Sequence, residues 1–433
     1  MTNKILCVQI SNDLINGKPG LSDLSQRYYA TLYNARSNEG YVKPYHFWEL
    51  PNWVSVINYN TECDFYICKD IKETVDFIIN NNYRYVCFSV LDVNKQIIKD
   101  IIKTYIETSF NLFWNTDKPL KQLTQFILGG YIDIHEYFNY LIRLHGVEYI
   151  KIFESIKNFI EFLGLKYKEG YNYSHFKDYE TIPRLTLSTG CLNNCTFCTI
   201  EKVLKEKHIG VILRQVWSFK PLKFKLIYIN DKTFGQCENY KLLPGLYREI
   251  KVYNKNFEGF IIQTTTAQFL KLDNEFIQEA HIKFIELGIE TFNDPILKKY
   301  HKPSNEFLSE QSTDKIRELK TVQLIPNILI GIPEETEFTY ARTLNFLNTH
   351  KDIISHLNIY NLAVYDNTPL SKTLKHTESD KNENSINKSF HKNKNIHIQF
   401  YKDVHEFGIN ILCEKKNKNG GLKNDTRNKT IFN

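Results

Sequence analysis

The sequence predicts an α/β protein built from two domains and a basic tail. Strand-like and helix-like segments alternate between residues 184 and 364, and short apolar runs within the first 165 residues are typical of buried parallel strands. Glycine or cysteine residues stand where several of these predicted strands end. Such alternation is characteristic of parallel sheets with right-handed helical crossovers, and 433 residues suffice for two or three domains.

Residues 1–165 are predicted to form a doubly wound, Rossmann-like domain. The pattern predicts strands over 4–10, 85–89, 125–130 and 149–152, a helix over 94–108 and a second helix ending at 163. The third of these predicted strands, 125–130, ends in the glycine pair Gly129 and Gly130. Residues 166–184, aromatic and polar, are predicted to be a linker.

Residues 185–371 are predicted to form the second domain. Six strands are predicted over 184–188, 222–230, 259–265, 282–288, 323–330 and 356–364, with helices over 240–253, 273–280, 306–319 and 337–348. Ligands of parallel α/β folds bind at the carboxyl ends of the strands, so residues at those ends are the candidates for a site.

Three cysteines in a C-x3-C-x2-C spacing follow the first of these six strands. Cys191, Cys195 and Cys198 lie within one short loop, which can hold three corners of an iron–sulfur cube. Structural clusters have all their irons ligated by the protein, and structural metal sites are closed whereas catalytic ones keep an open position. Three ligands therefore predict a cluster with one open, reactive iron.

A zinc site, or a non-catalytic scaffold, is the alternative interpretation of these cysteines. Zinc needs a fourth ligand, and His208 lies nearby, but the chain has no second C-x2-C or H-x3-H pair. The remaining cysteines show no ligand spacing and are predicted to be mostly buried thiols: Cys7, Cys63, Cys68, Cys87, Cys237 and Cys413.

The cysteine spacing resembles the signature of the radical S-adenosylmethionine (radical SAM) superfamily. The resemblance implies a 4Fe-4S cluster whose open iron chelates S-adenosylmethionine and whose electron cleaves it to a 5′-deoxyadenosyl radical. It implies that Cys191, Cys195 and Cys198 are both the metal ligands and the catalytic residues. Phe197 occupies the position of the family's aromatic residue, near the adenine. The implied fold is a six-stranded partial (β/α)6 barrel of the TIM type.

Other predicted strand ends are similar to motifs of the same family. Asp231 stands where relatives carry an acidic pair that holds the methionine amino group, although the first acidic position is Asn230 here. Glu290 matches the glutamate of a Gly-x-Glu-Ser motif and is expected to bind the ribose. Gly331 and Ile332 begin a segment that resembles Gly-x-Pro-Gly-Glu-Thr, and both are expected to contact the adenine. Residues 365–370 resemble a Pro-Gly-Thr-Pro-Leu turn without its first two residues.

The first domain resembles the cobalamin-binding domain fused to many radical SAM enzymes. Ser89 and Leu91 match a Ser-x-Leu motif, and Gly129 and Gly130 match a Gly-Gly motif, which together cradle the nucleotide tail of cobalamin. The family's Asp-x-His-x-x-Gly loop does not appear after the first strand, so no histidine is offered as a cobalt ligand. These motifs alone do not decide whether the domain binds cobalamin.

Two enzymatic functions and one non-enzymatic function follow from these resemblances. The first is a cobalamin-dependent methyltransferase that acts on an unactivated carbon. The second is radical SAM chemistry without cobalamin, such as a rearrangement, a cyclisation, a peptide modification or methylthio transfer to tRNA. The third is the scaffold named above. The substrate is expected to be a small molecule or a peptide, and the electron donor a flavodoxin- or ferredoxin-type protein.

Composition and charge predict a cytoplasmic protein without a membrane span. Hydrophobic residues make up 42% of the chain, but no apolar run reaches the roughly 18 residues that a membrane helix needs, and no signal peptide is evident. Residues 372–433 are predicted to be a Lys/Asn-rich, partly disordered tail. From residue 371 onward the chain holds 13 basic and 7 acidic residues, which accounts for the net charge of +6. A basic tail can bind nucleic acid, but nucleic acid is not the favoured partner.

Overall fold

The computed structural model describes residues 4–11, 14–15, 50–91, 94–115, 124–130, 134–145, 149–178, 181–355, 357–362, 368–375, 394–408 and 411–414. These residues form two compact units. The first unit contains the described residues up to Thr181 together with Trp217–Lys223, and the second contains Ile182–Val216 and the described residues from Phe224 onward.

The first unit is built on a five-stranded parallel sheet with the order β2-β1-β3-β4-β5. Its strands are β1 (Ile5–Ile10), β2 (Asp64–Cys68), β3 (Tyr85–Val90), β4 (Gln125–Gly130) and β5 (Ile150–Ile152). Its helices are α1 (Asn52–Asn60), α2 (Ile71–Asn81), α3 (Lys95–Asn115), α4 (Ile134–His145) and α5 (Ile156–Phe162), and a 3-10 turn follows at Ser174–Phe176.

This strand order is that of flavodoxin-like doubly wound domains, so the predicted doubly wound fold is confirmed. Alternate residues of the sheet face opposite sides, and one face packs a core that includes Leu6, Val8, Val86 and Phe88. The order reverses between β1 and β3, which places a topological switch point at the carboxyl ends of these strands. The strand β2 and the helices α1, α2 and α4 were not among the sequence predictions.

The second unit is built on a seven-stranded parallel sheet with the order β14-β13-β12-β11-β10-β9-β6. Its strands are β6 (Arg184–Leu185), β9 (Leu226–Ile229), β10 (Gly259–Thr265), β11 (Ile282–Glu290), β12 (Gln323–Ile330), β13 (Leu357–Asn361) and β14 (Ile411–Glu414). A separate antiparallel pair consists of β7 (Ser188–Thr189) and β8 (Lys205–Glu206).

Helices connect these strands in the alternating manner that the sequence predicts. A 3-10 turn at Glu238–Leu242 precedes the helix that begins at Leu243. The helices are α6 (Ile209–Ser218), α7 (Leu243–Tyr253), α8 (Thr266–Phe269), α9 (Asn274–Glu279), α10 (Asp294–Lys299), α11 (Glu306–Leu319), α12 (Glu337–Thr349), α13 (Pro369–Lys375) and α14 (Lys394–Glu406).

Two parts of the second unit differ from the sequence predictions. The first predicted strand, 184–188, is split into β6 and β7, and β7 leaves the main sheet to pair with β8. The predicted tail contains α14 and β14, and β14 adds a seventh parallel strand beside β13. The described helix α14 buries Phe400 and Val404, which lie four residues apart and so on one helical face. Residues 415–433 lie outside the described part of the chain.

Side-chain caps fix the helix starts that adjoin the strand ends. Asn305 accepts a hydrogen bond from the Leu308 N–H at the start of α11. Thr336 and Thr339 form a reciprocal capping box at the start of α12. Because α12 begins directly after the segment 331–335, this cap also fixes the end of that segment. Within the described residues, no helix combines the length and the apolar character needed to cross a membrane.

Candidate functional site

The three cysteines lie in a loop that β7 and β8 close. Ser188 pairs with Glu206 and Thr189 with Lys205, and the Cys191 N–H donates to the Glu201 carbonyl at 3.0 Å. Gly190 has a φ of 87°, and a Cβ there would lie 1.9 Å from the Val203 carbonyl oxygen. Glycine is therefore required at this position, and the two arms of the loop are held at a fixed spacing.

All three thiols of this loop are free of disulfides. Cys191 and Cys195 are buried and Cys198 is half-buried. Burial raises the pKa of the Cys195 thiol, while the positive charge of Lys302 acts in the opposite direction. Among the described residues, no group of three His, Cys, Asp or Glu side chains surrounds one metal-ion position. A 4Fe-4S cluster has a different requirement from a single ion, because each thiolate binds a different iron atom of the cluster.

Cys191 has two hydrogen-bonding neighbours at its sulfur. The Thr233 Oγ1 lies 3.2 Å from the Cys191 Sγ, and the Asn193 N–H donates to the same sulfur at 3.5 Å. Hydrogen bonds to ligand sulfurs are the usual surroundings of iron–sulfur clusters. The donor set of three thiols, with hydrogen-bond partners already at one of them, therefore fits the cluster that the spacing predicts.

Asp231 lies beneath the cysteine loop and holds its incoming strand. Its carboxylate accepts hydrogen bonds from the N–H groups of Leu187 and Ser188 at 2.8 and 3.0 Å and from the Ser188 hydroxyl at 2.6 Å. The side chain is 2% exposed, and burial raises its pKa against the effect of these donors. These contacts hold the loop, and the contact of Asp231 with a methionine amino group stays a prediction.

Glu290 forms an ion pair with Lys302 near the cysteines. Glu290 Oε1 and Lys302 Nζ are 2.6 Å apart, with the side chains 14% and 9% exposed. Burial disfavours the Lys302 charge, but Glu290 and Cys195 outweigh it, so the pKa of Lys302 is raised. The Lys302 Nζ also lies 5.7 Å from the centre of the Phe197 ring. The structure thus brings Glu290 and Phe197, two predicted cofactor residues, to one place.

The segment after β12 is organised by the buried carboxylate of Glu335. The N–H groups of Gly331 and Ile332 donate to Glu335 Oε2 at 2.9 and 3.0 Å, and the Tyr340 hydroxyl donates to the same oxygen. Burial raises the pKa of Glu335 to about 8. Gly331 has a φ of 85°, which favours glycine. Gly331 and Ile332, the two residues predicted to contact the adenine, are therefore held by Glu335, for which the sequence analysis predicted no role.

Glu334 and an apolar cluster join this segment to the cysteine loop. Glu334, which replaces the family's second glycine, accepts hydrogen bonds from the Tyr300 hydroxyl at 2.7 Å and from Lys299. The Thr196 N–H donates to the Tyr300 carbonyl at 3.2 Å. The apolar cluster consists of Ile296, Tyr300, Leu329, Ile332, Leu362 and Leu370, with Phe197 and Tyr360 packed against it.

The predicted turn after the sixth strand is described only from Thr368 onward. Residues 365–367 lie outside the described part of the chain. The Leu370 N–H donates to the Thr196 carbonyl at 3.0 Å, so the start of α13 contacts the cysteine loop. The end of this predicted motif therefore converges with Phe197 and Ile332.

Hydrogen-bonding side chains also connect β9, β10 and β11 along one face of the sheet. The buried Tyr228 hydroxyl contacts Glu286 Oε2 at 2.8 Å and Gln263 Oε1 at 3.3 Å. The Arg184 guanidinium stacks 4.4 Å above the Tyr228 ring. These contacts join three neighbouring strands of the second unit through polar side chains.

In the first unit, the predicted cobalamin motifs meet at neighbouring strand ends. Ser89 pairs with Gly129 across β3 and β4, and Asn94 bonds both to the Ser89 carbonyl and to the Leu91 N–H. A Cβ at Gly130 would lie 2.1 Å from the Val90 carbonyl oxygen, whereas one at Gly129 would come no closer than 3.4 Å to the Phe153 carbonyl oxygen. Close strand packing therefore explains the second glycine of the pair.

Three residues of the site were not predicted from the sequence. Thr233, Lys302 and Glu335 contact predicted residues, but each makes its contact through a turn or a loop whose path local patterns do not reveal. Glu335 alone carried a signal, since it stands in the segment similar to Gly-x-Pro-Gly-Glu-Thr.

The chain is similar in sequence to curated methylthiotransferases. It is 25% identical over 175 residues to a ribosomal protein uS12 methylthiotransferase of Caldanaerobacter subterraneus, a match that covers 38% of this chain and 39% of the relative. It is 23% identical over 222 residues to the threonylcarbamoyladenosine tRNA methylthiotransferase of Bacillus subtilis, covering 48% and 47%. The matches span less than half of the length of these relatives. No protein-family profile matches the chain.

The structure is similar to two solved structures that bind cobalamin. The radical SAM methyltransferase TsrM of Kitasatospora setae, solved with cobalamin and a 4Fe-4S cluster, aligns with a TM-score of 0.54 and 11% identity over 87% of this chain and 78% of its own. The cobalamin-dependent enzyme OxsB, solved with aqua-cobalamin and S-adenosylmethionine, aligns with a TM-score of 0.56 and 12% identity over 87% and 61%. The predicted fold is confirmed, and these two structural neighbours are radical SAM enzymes, in agreement with the resemblance that the cysteine spacing shows.

Proposed function

We propose that this chain, which has the fold of cobalamin-binding radical SAM enzymes, holds a 4Fe-4S cluster and cleaves S-adenosylmethionine reductively. The observation that carries the proposal is the closed loop with the free thiols of Cys191, Cys195 and Cys198. When bound, the cluster supplies the electron that breaks the sulfonium bond. The protein supplies three thiolates, a shielded loop and the hydrogen-bond donors around it.

The surrounding residues support a binding site for the nucleoside of S-adenosylmethionine. Phe197 and Ile332 belong to one apolar cluster, which suits the faces of an adenine ring. Glu290, with one oxygen bonded to Lys302, keeps its second oxygen for a ribose hydroxyl. In this proposal, Asp231 holds the cysteine loop in position through its hydrogen bonds to Leu187 and Ser188. The fixed Gly331 backbone allows close approach of the base.

For the overall reaction we favour cobalamin-dependent transfer of a methyl group to an unactivated carbon. The support is the likeness to TsrM and OxsB, which extends over 87% of the chain. Ser89, Leu91, Gly129 and Gly130 gather at the carboxyl ends of β3 and β4, where doubly wound domains bind their ligands. They are the proposed contacts of the cobalamin nucleotide tail.

Methylthio transfer is the second candidate, and the curated relatives favour it. Those relatives act, by name, on ribosomal protein uS12 and on a modified adenosine of tRNA. For the favoured reaction, the proposed substrate is a small molecule or a peptide. A flavodoxin- or ferredoxin-type donor and a cytoplasmic location complete the proposal.

Metal analysis after anaerobic purification with added hydroxocobalamin tests the proposal. About four irons and one cobalt per chain support the cobalamin-dependent class. About four irons without cobalt assign the first unit to another role and promote the second candidate. Zinc in place of iron overturns the proposal.

The matched variants are Cys195→Ala and Cys87→Ala. Both remove a buried thiol, but only the first removes a proposed ligand. We expect Cys195→Ala to lose the cluster and all 5′-deoxyadenosine formation, and Cys87→Ala to keep both. Formation of 5′-deoxyadenosine by Cys195→Ala would refute the assignment.

A further inference from the structure

The sulfur of Cys191 has a hydroxyl neighbour that cysteine spacing alone does not indicate. Thr233 Oγ1 lies 3.2 Å from Cys191 Sγ, and the two side chains are 5% and 7% exposed. Between a neutral thiol and a hydroxyl, either atom can donate. A cysteine that ligates iron is a thiolate without a proton, so Thr233 must then be the donor.

The turn that carries Thr233 is fixed on both sides. On one side, the Asp231 carboxylate is bonded to Leu187 and Ser188. On the other, the Phe234 N–H donates to the Gln263 carbonyl at 2.8 Å, and the Thr264 hydroxyl donates to the Phe234 carbonyl. The turn is therefore hydrogen-bonded to β10 and to the residues that precede the cysteine loop. These bonds hold the Thr233 hydroxyl beside the Cys191 sulfur.

We propose that Thr233 is a positioning residue that donates a hydrogen bond to the ligand sulfur of Cys191 and raises the reduction potential of the cluster. This rests on the proposed cluster. One-electron reduction adds negative charge to the cluster and its sulfurs, and hydrogen bonds to those sulfurs stabilise the added charge. The burial of Thr233 strengthens the effect, because water does not compete for the sulfur at that position.

The test compares the midpoint potentials of Thr233→Val and Thr233→Ser after anaerobic reconstitution. Valine keeps the shape of threonine and removes the hydroxyl, whereas serine keeps the hydroxyl. Dithionite titration followed by electron paramagnetic resonance reports the potential without S-adenosylmethionine or a substrate. We expect a more negative potential for Thr233→Val and a potential close to that of the wild type for Thr233→Ser.

Equal potentials in the wild type and Thr233→Val, with the cluster loaded in both, overturn this role and leave the proposed function intact. A wild type that binds no four-iron cluster refutes the proposed function itself. Thr233→Ala gives a second variant without the hydroxyl, should valine not fit. If neither variant loads iron while Thr233→Ser does, the hydroxyl serves assembly of the cluster and the tuning role is refuted.

Discussion

The carboxylate of Glu290 is aimed at the ammonium of Lys302 by a deformation of β11. The register of β11 against β12 shifts between Gly288 and Glu290, and Glu290 has a φ of 64°, a conformation that residues other than glycine rarely adopt. Bulges of this kind re-aim a side chain beside active sites. Gly288 provides the space, since a Cβ there would lie 3.2 Å from Glu290 Oε1.

Removal of the Lys302 ammonium is expected to destabilise the second unit. Lys302→Met leaves the Glu290 carboxylate buried without its cation, and breaking such a pair from one side costs about 3 kcal/mol. Lys302→Met combined with Glu290→Gln removes both charges and should recover most of that loss. Urea unfolding of the cluster-free protein measures both effects.

Lys299→Met is the control for this pair. Lys299 also bonds to a glutamate, but its side chain is 59% exposed, so its loss should cost below about 1 kcal/mol. Equal losses for Lys302→Met and Lys299→Met, or no recovery in the double variant, would contradict the importance of the buried pair.

Long and strongly periodic elements of the fold could be predicted from the sequence. The strands over 259–265 and 323–330 and the helix over 306–319 have the predicted bounds, because apolar periodicity and clear end signals coincide there. The strand β2 is five residues long and only partly buried, so it lacks such a signal. In α14 and β14, the Lys/Asn-rich composition of the surrounding chain masked short apolar patterns.

The candidate site could be predicted only where a motif lies within one segment. The cysteines are defined by their spacing, which a single loop preserves. The contact of Thr233 with Cys191 joins residues 42 positions apart, and the bond of Asp231 to Ser188 joins residues 43 apart. Such contacts depend on how β9 packs beside β6, and this tertiary relationship has no local signal in the sequence.

Titration of Glu335 is expected to make stability depend on pH. Its pKa in the folded chain is raised to about 8 by burial, whereas an ordinary glutamate ionises near 4.3. The folded state thus binds the proton more tightly, so the contribution to stability is complete below about pH 4 and is lost as pH rises to about 8. We expect a loss of about 3 kcal/mol between pH 5 and pH 8.

Glu335→Gln provides the comparison, because its amide oxygen can still accept from Gly331, Ile332 and Tyr340 without ever becoming charged. Urea unfolding at four pH values between 5 and 8 should give a smaller fall in the free energy of unfolding for the variant than for the wild type. Parallel curves for the two proteins would show that Glu335 titrates in its ordinary range.

The two glycines at the end of β4 are expected to respond differently to alanine. Gly130→Ala places a methyl group against the Val90 backbone and should cost about 1–3 kcal/mol of stability. At Gly129 the nearest atom is 3.4 Å from the added Cβ, so Gly129→Ala should keep its stability. If Gly129→Ala retains less cobalamin than the wild type, the cause is then weaker binding rather than unfolding. Equal stability of both variants would contradict the close strand contact.

Asp231 is expected to act by holding the cysteine loop in position rather than by contacting S-adenosylmethionine. Asp231→Ala leaves the buried N–H groups of Leu187 and Ser188 without their acceptor, at about 1–3 kcal/mol for each buried donor. The iron content after reconstitution should fall together with stability. Asp231→Asn keeps an acceptor oxygen for the two N–H groups, so it should load iron nearly as well as the wild type. Full iron loading and unchanged urea unfolding of Asp231→Ala would instead favour the predicted contact with the methionine amino group, because a residue that only touches S-adenosylmethionine affects its binding and not the loop.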